Sequence, residues 1–160
     1  MLVLDEDRST ADIVRGLLPS SCEVVAASDV DHALALLVER DYAVLLAELS
    51  HSRDDVIGML KWLKREAPQT STIACSALRD GRVLIELINQ GQIFRFLPKP
   101  LGRELLRRAL IAACERYGES RAAPQRLRRV AVEPLRRDHS LPARLLDYFR
   151  RIRENARVRQ

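Results

Sequence analysis

Apolar positions along the first 118 residues fall into two kinds of run that take turns. Short runs at residues 2–4, 23–27, 43–47, 71–75 and 94–97 are rich in Leu, Val, Ile, Ala and Phe and have the length of strands. Longer stretches between them repeat their apolar residues every three or four positions, the spacing of one helix face. The first starts at about Ser9, carries Ile13, Val14, Leu17 and Leu18, and stops at Pro19. The second, residues 30–40, carries Ala33, Leu34, Leu37 and Val38. The third, residues 56–66, carries Ile57, Leu60 and Leu63, and Pro68 forbids its continuation. A fourth runs from Asp80, a good cap, to Gly91, and a fifth from near Gly102 to Gly118.

Five strands, each followed by a helix, predict an α/β protein whose parallel sheet is covered on both faces. At this size the common solution is a flavodoxin-like (βα)5 doubly wound sheet with strand order 2-1-3-4-5. Residues 1–118 form this domain. Residues 119–139 are polar, contain Pro124 and Pro134, and read as a basic linker. From Ser140 to the end, Leu141, Leu145, Tyr148, Phe149 and Ile152 make one apolar stripe, so 140–160 reads as a C-terminal amphipathic basic helix.

Charge sharpens the boundary. The 160-residue chain has a formal net charge of +5. Residues 119–160 hold 12 Arg and 5 acidic residues, a net +7, which leaves −2 for residues 1–118. A mildly acidic body is joined to a basic tail. No apolar run approaches the roughly 18 residues of a membrane span, so no membrane contact is expected. Cys22, Cys75 and Cys114 are odd in number and widely spaced, as reduced thiols of a cytoplasmic protein would be.

In open parallel sheets the carboxyl ends of the strands form the ligand-binding edge. Asp5, Glu6 and Asp7 follow the first strand, Glu48 ends the third, Ser76 ends the fourth, and Lys99 and Pro100 end the fifth. Acids gathered there repel one another and call for a hard cation with oxygen ligands, typically Mg²⁺. A lysine and a small hydroxyl opposite them suit a phosphoryl group. Solvation is the ordinary fate of any one such residue, but less so of the whole set at a single edge.

Three of these segments resemble those of response-regulator receiver domains. Leu2-Val3-Leu4-Asp5-Glu6-Asp7 looks like the family's first strand with its paired metal-binding acids. Ile73-Ala74-Cys75-Ser76-Ala77 resembles the strand that ends in the switch hydroxyl. Gly91 to Pro100 resembles the fifth strand with its Lys-Pro ending, which puts Phe96 at the aromatic switch position and Lys99 at the phosphate-site lysine. The resemblance covers residues 1 to about 118. It implies a two-component phosphorelay module, with Mg²⁺ held by Asp5 and Glu6, and an output face made by the fourth helix, fifth strand and fifth helix. The expected partner is a protein, either a sensor kinase or an output domain.

One position departs from the family pattern. Glu48 stands where the family has its phospho-accepting Asp, and Ser52 and Val56 replace the Pro and Gly that shape the following loop. The extra methylene pushes the carboxylate toward Lys99 and away from the in-line position that phosphoryl transfer needs. The expectation is an atypical receiver that signals by protein contact and is not phosphorylated at residue 48. The altered strand end also weakens the ligand set for Mg²⁺.

No P-loop, nucleophile elbow or GxGxxG turn is present, so an enzyme is not expected. His51 beside Glu48 reads as a solvated loop histidine, and Trp62 as partly buried helix packing. The tail leaves alternatives open. Its apolar stripe could pack on the receiver or on a second chain, giving a homodimer, and its arginines could neutralise nucleic-acid phosphates. Two rival functions therefore stand beside the main one: a DNA-binding transcriptional regulator, and a receiver still active in phosphotransfer.

Overall fold

The computed structural model describes residues 1–49, 53–77 and 93–122. Its elements in chain order are β1 (Leu2–Leu4), α1 (Arg8–Leu17), β2 (Val25–Ala27), α2 (Val30–Glu39), β3 (Val44–Glu48), α3 (Arg53–Glu66), β4 (Ser71–Ser76), β5 (Arg95–Pro98) and α4 (Arg103–Ala122). The helix expected over residues 80–91, the loop at 50–52 with His51, and the tail stripe from Leu141 to Ile152 lie outside the described residues.

All five strands are parallel and lie in the order β2-β1-β3-β4-β5, the arrangement the alternating pattern predicts. Successive side chains on a strand point to opposite faces, so each central strand serves two cores. Leu45 and Ala47 of β3 pack with Leu2, Leu4, Ala33, Leu34, Met59 and Leu60, on the side of α2 and α3. Val44 and Leu46, their alternates, pack with Val3, Val14, Ile73, Leu106 and Leu110, on the side of α1 and α4. Val44, Leu45, Leu46 and Ala47 are fully inaccessible to solvent, which is why this stretch reads as an unbroken apolar run.

Local chemistry sets the helix ends. Asp7 caps α1, accepting a hydrogen bond from the Ser9 N–H, and that interaction with Ser9 keeps its carboxyl below the ordinary aspartate value. The helix stops at Leu17 because Leu18 precedes Pro19 and takes an extended backbone. Asp29 caps α2 through the His32 N–H at 2.8 Å. Beyond its other end, Arg40 makes a forked pair with Glu23, at 2.9 and 2.7 Å, and donates to the Tyr42 hydroxyl. Trp62 is partly buried against the α2–α3 core.

Two helices are longer than their apolar periodicity suggests. Helix α3 begins at Arg53 rather than Val56, since Asp54 and Asp55 in its first turn complement the helix dipole. Helix α4 passes through Gly118 to Ala122. A glycine inside a helix costs only about 1 kcal/mol, and Arg121 stacks over Tyr117, 5.9 Å from the ring centroid, across that point. The helix expected to end at Gly118 therefore continues to Ala122.

Candidate functional site

Because the strands are parallel, their carboxyl ends share one edge, and β1, β3, β4 and β5 bring polar residues to it. Asp5 follows β1. Its N–H donates to the Ala27 carbonyl at 3.1 Å, which ties the strand end to β2. The carboxylate is almost wholly buried, with 2% of the side chain exposed. One oxygen accepts from the Asp7 N–H at 2.9 Å. The other accepts from the Thr10 hydroxyl at 2.8 Å and from Lys99 Nζ at 2.9 Å. A carboxylate this deep needs such partners, since an uncompensated buried charge costs several kcal/mol.

Glu48 is the last residue of β3. Its Oε1 accepts from Lys99 Nζ at 2.7 Å, so the lysine bridges the ends of β1 and β3. Lys99 itself follows β5. Its N–H donates to the Ser76 carbonyl at 2.9 Å, and a cis peptide joins it to Pro100. Burial works against the charge on its ammonium, but the hydrogen bonds to Glu48 and Asp5 and the charges of both acids outweigh that effect. The ammonium is held above the ordinary lysine value. Just beneath, burial pushes the Cys75 thiol up to about 12, so it stays protonated and is not a nucleophile.

The remaining expected site residues take different places. Ser76 is buried at the end of β4, beside the Lys99 backbone. Phe96 pairs with Ala74 in the β4–β5 register and is partly buried against the α2–α3 core. Glu6 is exposed. Thr10 is a participant that the sequence pattern did not single out. It sits in the first turn of α1 and is 5% exposed, although its neighbours Ala11 and Val14 belong to the core. The available signal was the Asp7 cap, which starts α1 directly after Asp5 and so turns Thr10 back beneath that carboxylate.

As arranged, Asp5 and Glu48 are turned toward Lys99 rather than toward a shared cation position. The space between Asp5 and Glu48 is filled by Lys99 Nζ, and both Asp5 oxygens already accept hydrogen bonds. Among the described residues no three His, Cys, Asp or Glu side chains converge as a ligand set. What the arrangement offers is a nearly closed ion cluster of two carboxylates and one ammonium, supported by a hydroxyl.

Comparison with known proteins agrees with this architecture. The family model described as the response regulator receiver domain matches residues 1–111. A curated relative, the hydrogenase transcriptional regulatory protein HoxA of Cupriavidus necator, is 26% identical over 100 residues. That alignment covers 62% of this chain and 21% of HoxA, so the chain spans about a fifth of that protein's length. Among solved structures, the signal receiver domain of an HD domain-containing protein from Pseudomonas fluorescens Pf-5 superposes with a TM-score of 0.68 at 26% identity. The match covers 76% of this chain and 90% of that one. NtrX from Brucella abortus, solved in complex with ADP, gives a TM-score of 0.66 at 25% identity, over 77% of this chain and 28% of NtrX. Among the described residues no helix is long and apolar enough to cross a membrane. With the parallel 2-1-3-4-5 sheet and the matched residues spanning most of its length, the chain belongs to the response regulator receiver domain family of two-component signalling.

Proposed function

We propose that this receiver signals through contact with a protein partner, a sensor kinase or an output domain, and that it does not take phosphate at residue 48. One observation carries the reading: Lys99 Nζ is bonded to Glu48 at 2.7 Å and to Asp5 at 2.9 Å in the same geometry. Acyl phosphate formation needs a free carboxylate oxygen in line with the donor, and positive charge near the transferred group. Here the carboxylate reaches one methylene further than an aspartate, and the nearby ammonium is already engaged. Glu48 thus holds a permanent negative charge against Lys99, near Ser76, and partly imitates the modified state. Ser76 and Phe96 are the switch positions in this reading, and the face around β5 and α4 is the output surface.

Incubation of the full chain with acetyl phosphate and Mg²⁺, followed by intact mass measurement, should show no phosphate adduct. A stoichiometric acid-labile adduct on Glu48 would overturn the reading in favour of an active phosphotransfer receiver. Glu48→Asp is the informative companion, because it shortens the side chain while leaving Ser52 and Val56 unchanged. Labelling of that variant alone would locate the defect in the one methylene.

A second reading rests on the charge of the tail. Twelve arginines in residues 119–160 suit nucleic-acid phosphates, and the HoxA relative is named a transcriptional regulatory protein. DNA binding that weakens steeply with salt, and is lost on removing residues 123–160, would favour it. A change in oligomer size on the same truncation would instead favour packing of the stripe at 140–160 on a second chain.

A further inference from the structure

The opposite edge of the sheet, where β4 and β5 begin, carries a different concentration of charge. A small, solvent-open pocket of about 20 Å³ lies there, lined among others by Lys64, Phe94 and Arg116. Lys64 stands in the last turn of α3, Arg116 on α4, and Phe94 just before β5. The Arg116 guanidinium lies 5.3 Å from the centroid of the Phe94 ring, and that of Arg95 lies 5.5 Å from the same centroid. Two guanidinium groups thus flank one aromatic ring, and the Lys64 ammonium lines the same pocket.

Their partners do not balance them. Arg116 donates to the Ser71 hydroxyl over a long 3.3 Å, a neutral acceptor. Among the described residues no carboxylate forms an ion pair with Lys64, Arg95 or Arg116. Burial and the like charge of Arg116 lower the Lys64 ammonium from its ordinary value. The Thr70 hydroxyl on the cavity wall is already donated to the Tyr42 carbonyl, so the wall's strong free donors are cationic N–H groups. A half-buried ammonium beside a guanidinium is a costly arrangement that an anion in the cavity would relieve. A guanidinium fork and an ammonium together match tetrahedral oxyanions better than they match halides.

We propose that this cavity binds a small oxyanion of the phosphate class, held between Lys64 and Arg116 and separate from the Glu48 edge. The probe is inorganic phosphate, titrated into the full chain at constant ionic strength against chloride, with acetate as a parallel arm. The thermal midpoint should rise saturably with phosphate, and the phosphate-dependent amide shifts should centre on Lys64, Phe94 and Arg116. Lys64→Met should raise the midpoint in chloride alone, since it removes an unbalanced charge, and should abolish the phosphate response. Arg116→Gln should weaken phosphate binding at least tenfold. An equal response to acetate would widen the class to carboxylates and overturn the preference for phosphate. No saturable response, a response retained in Lys64→Met, or shifts confined to residues 123–160 would overturn the site itself.

Discussion

Lys99→Ala is expected to lower unfolding stability by about 2–4 kcal/mol, read as a fall in the urea midpoint with an unchanged slope. The substitution leaves Asp5, with 2% of its side chain exposed, and Glu48, with 13%, facing one another without a counter-charge. Removing one partner of a buried ion pair costs more than the pair contributes, because the partner left behind has lost its water as well. The lysine side chain is 22% exposed, so solvent moderates the loss and keeps it below the value for a sealed pair. Lys99→Met separates packing from charge, since it keeps an apolar stem without the ammonium. Adding Glu48→Gln to that variant should recover part of the loss by removing one of the two opposed carboxylates, a clear departure from additivity.

The same ammonium gives a pH signature. Its value is raised in the folded chain, so its contribution is complete below the unfolded lysine value of about 10.4 and disappears as pH climbs through the higher folded one. The stability difference between wild type and Lys99→Ala should therefore be flat from about pH 6 to about pH 10 and shrink only in stronger alkali. An unchanged midpoint in Lys99→Ala at neutral pH would show that the cluster is open and solvated. Glu48 would then be free of Lys99 and open to a phosphodonor.

Leu46→Ala should cost about 3–4 kcal/mol. Leu46 is fully inaccessible, lies opposite Val3 of β1 and Ile73 of β4, and packs among Leu106 and Leu110 of α4. With neighbours on three sides the cavity left by truncation cannot collapse, so the surrounding contacts are lost together with the transfer free energy of the missing atoms. A loss below about 1 kcal/mol would mean that β3 is not gripped from both sides. Leu46 is two residues from Glu48, so this measurement also tests how firmly the site edge is anchored.

The sheet could be read from the sequence because its central strands are buried on both faces and punctuated by turns. The strand ends then placed Asp5, Glu48, Ser76 and Lys99 at one edge with no knowledge of side-chain direction. What could not be read was how those groups divide their hydrogen bonds. Whether Lys99 reaches one acid or both depends on side-chain geometry that no periodicity encodes. Nothing in the apolar pattern marks Thr10, whose role exists only because α1 folds back under β1. Polar residues also hid the start of α3. Arg53, Asp54 and Asp55 read as loop, although acids belong in a first turn. At Gly118 the helix again exceeds the expected length, because one glycine costs too little to end it.

The lysine bridge also bears on the order of events when the chain folds. Lys99 and Asp5 are 94 positions apart in sequence, and β3 and β4 stand between the strands that carry them. The contact can close only after β1, β3, β4 and β5 are all in register, by which stage most of the loop-closure entropy has been spent. Such an interaction is largely absent from the folding transition state and forms on its native side. Its removal should therefore leave the refolding rate nearly unchanged and appear almost entirely as faster unfolding. The charge cluster thus works as a latch on the finished sheet, lengthening the lifetime of the folded receiver without guiding its assembly.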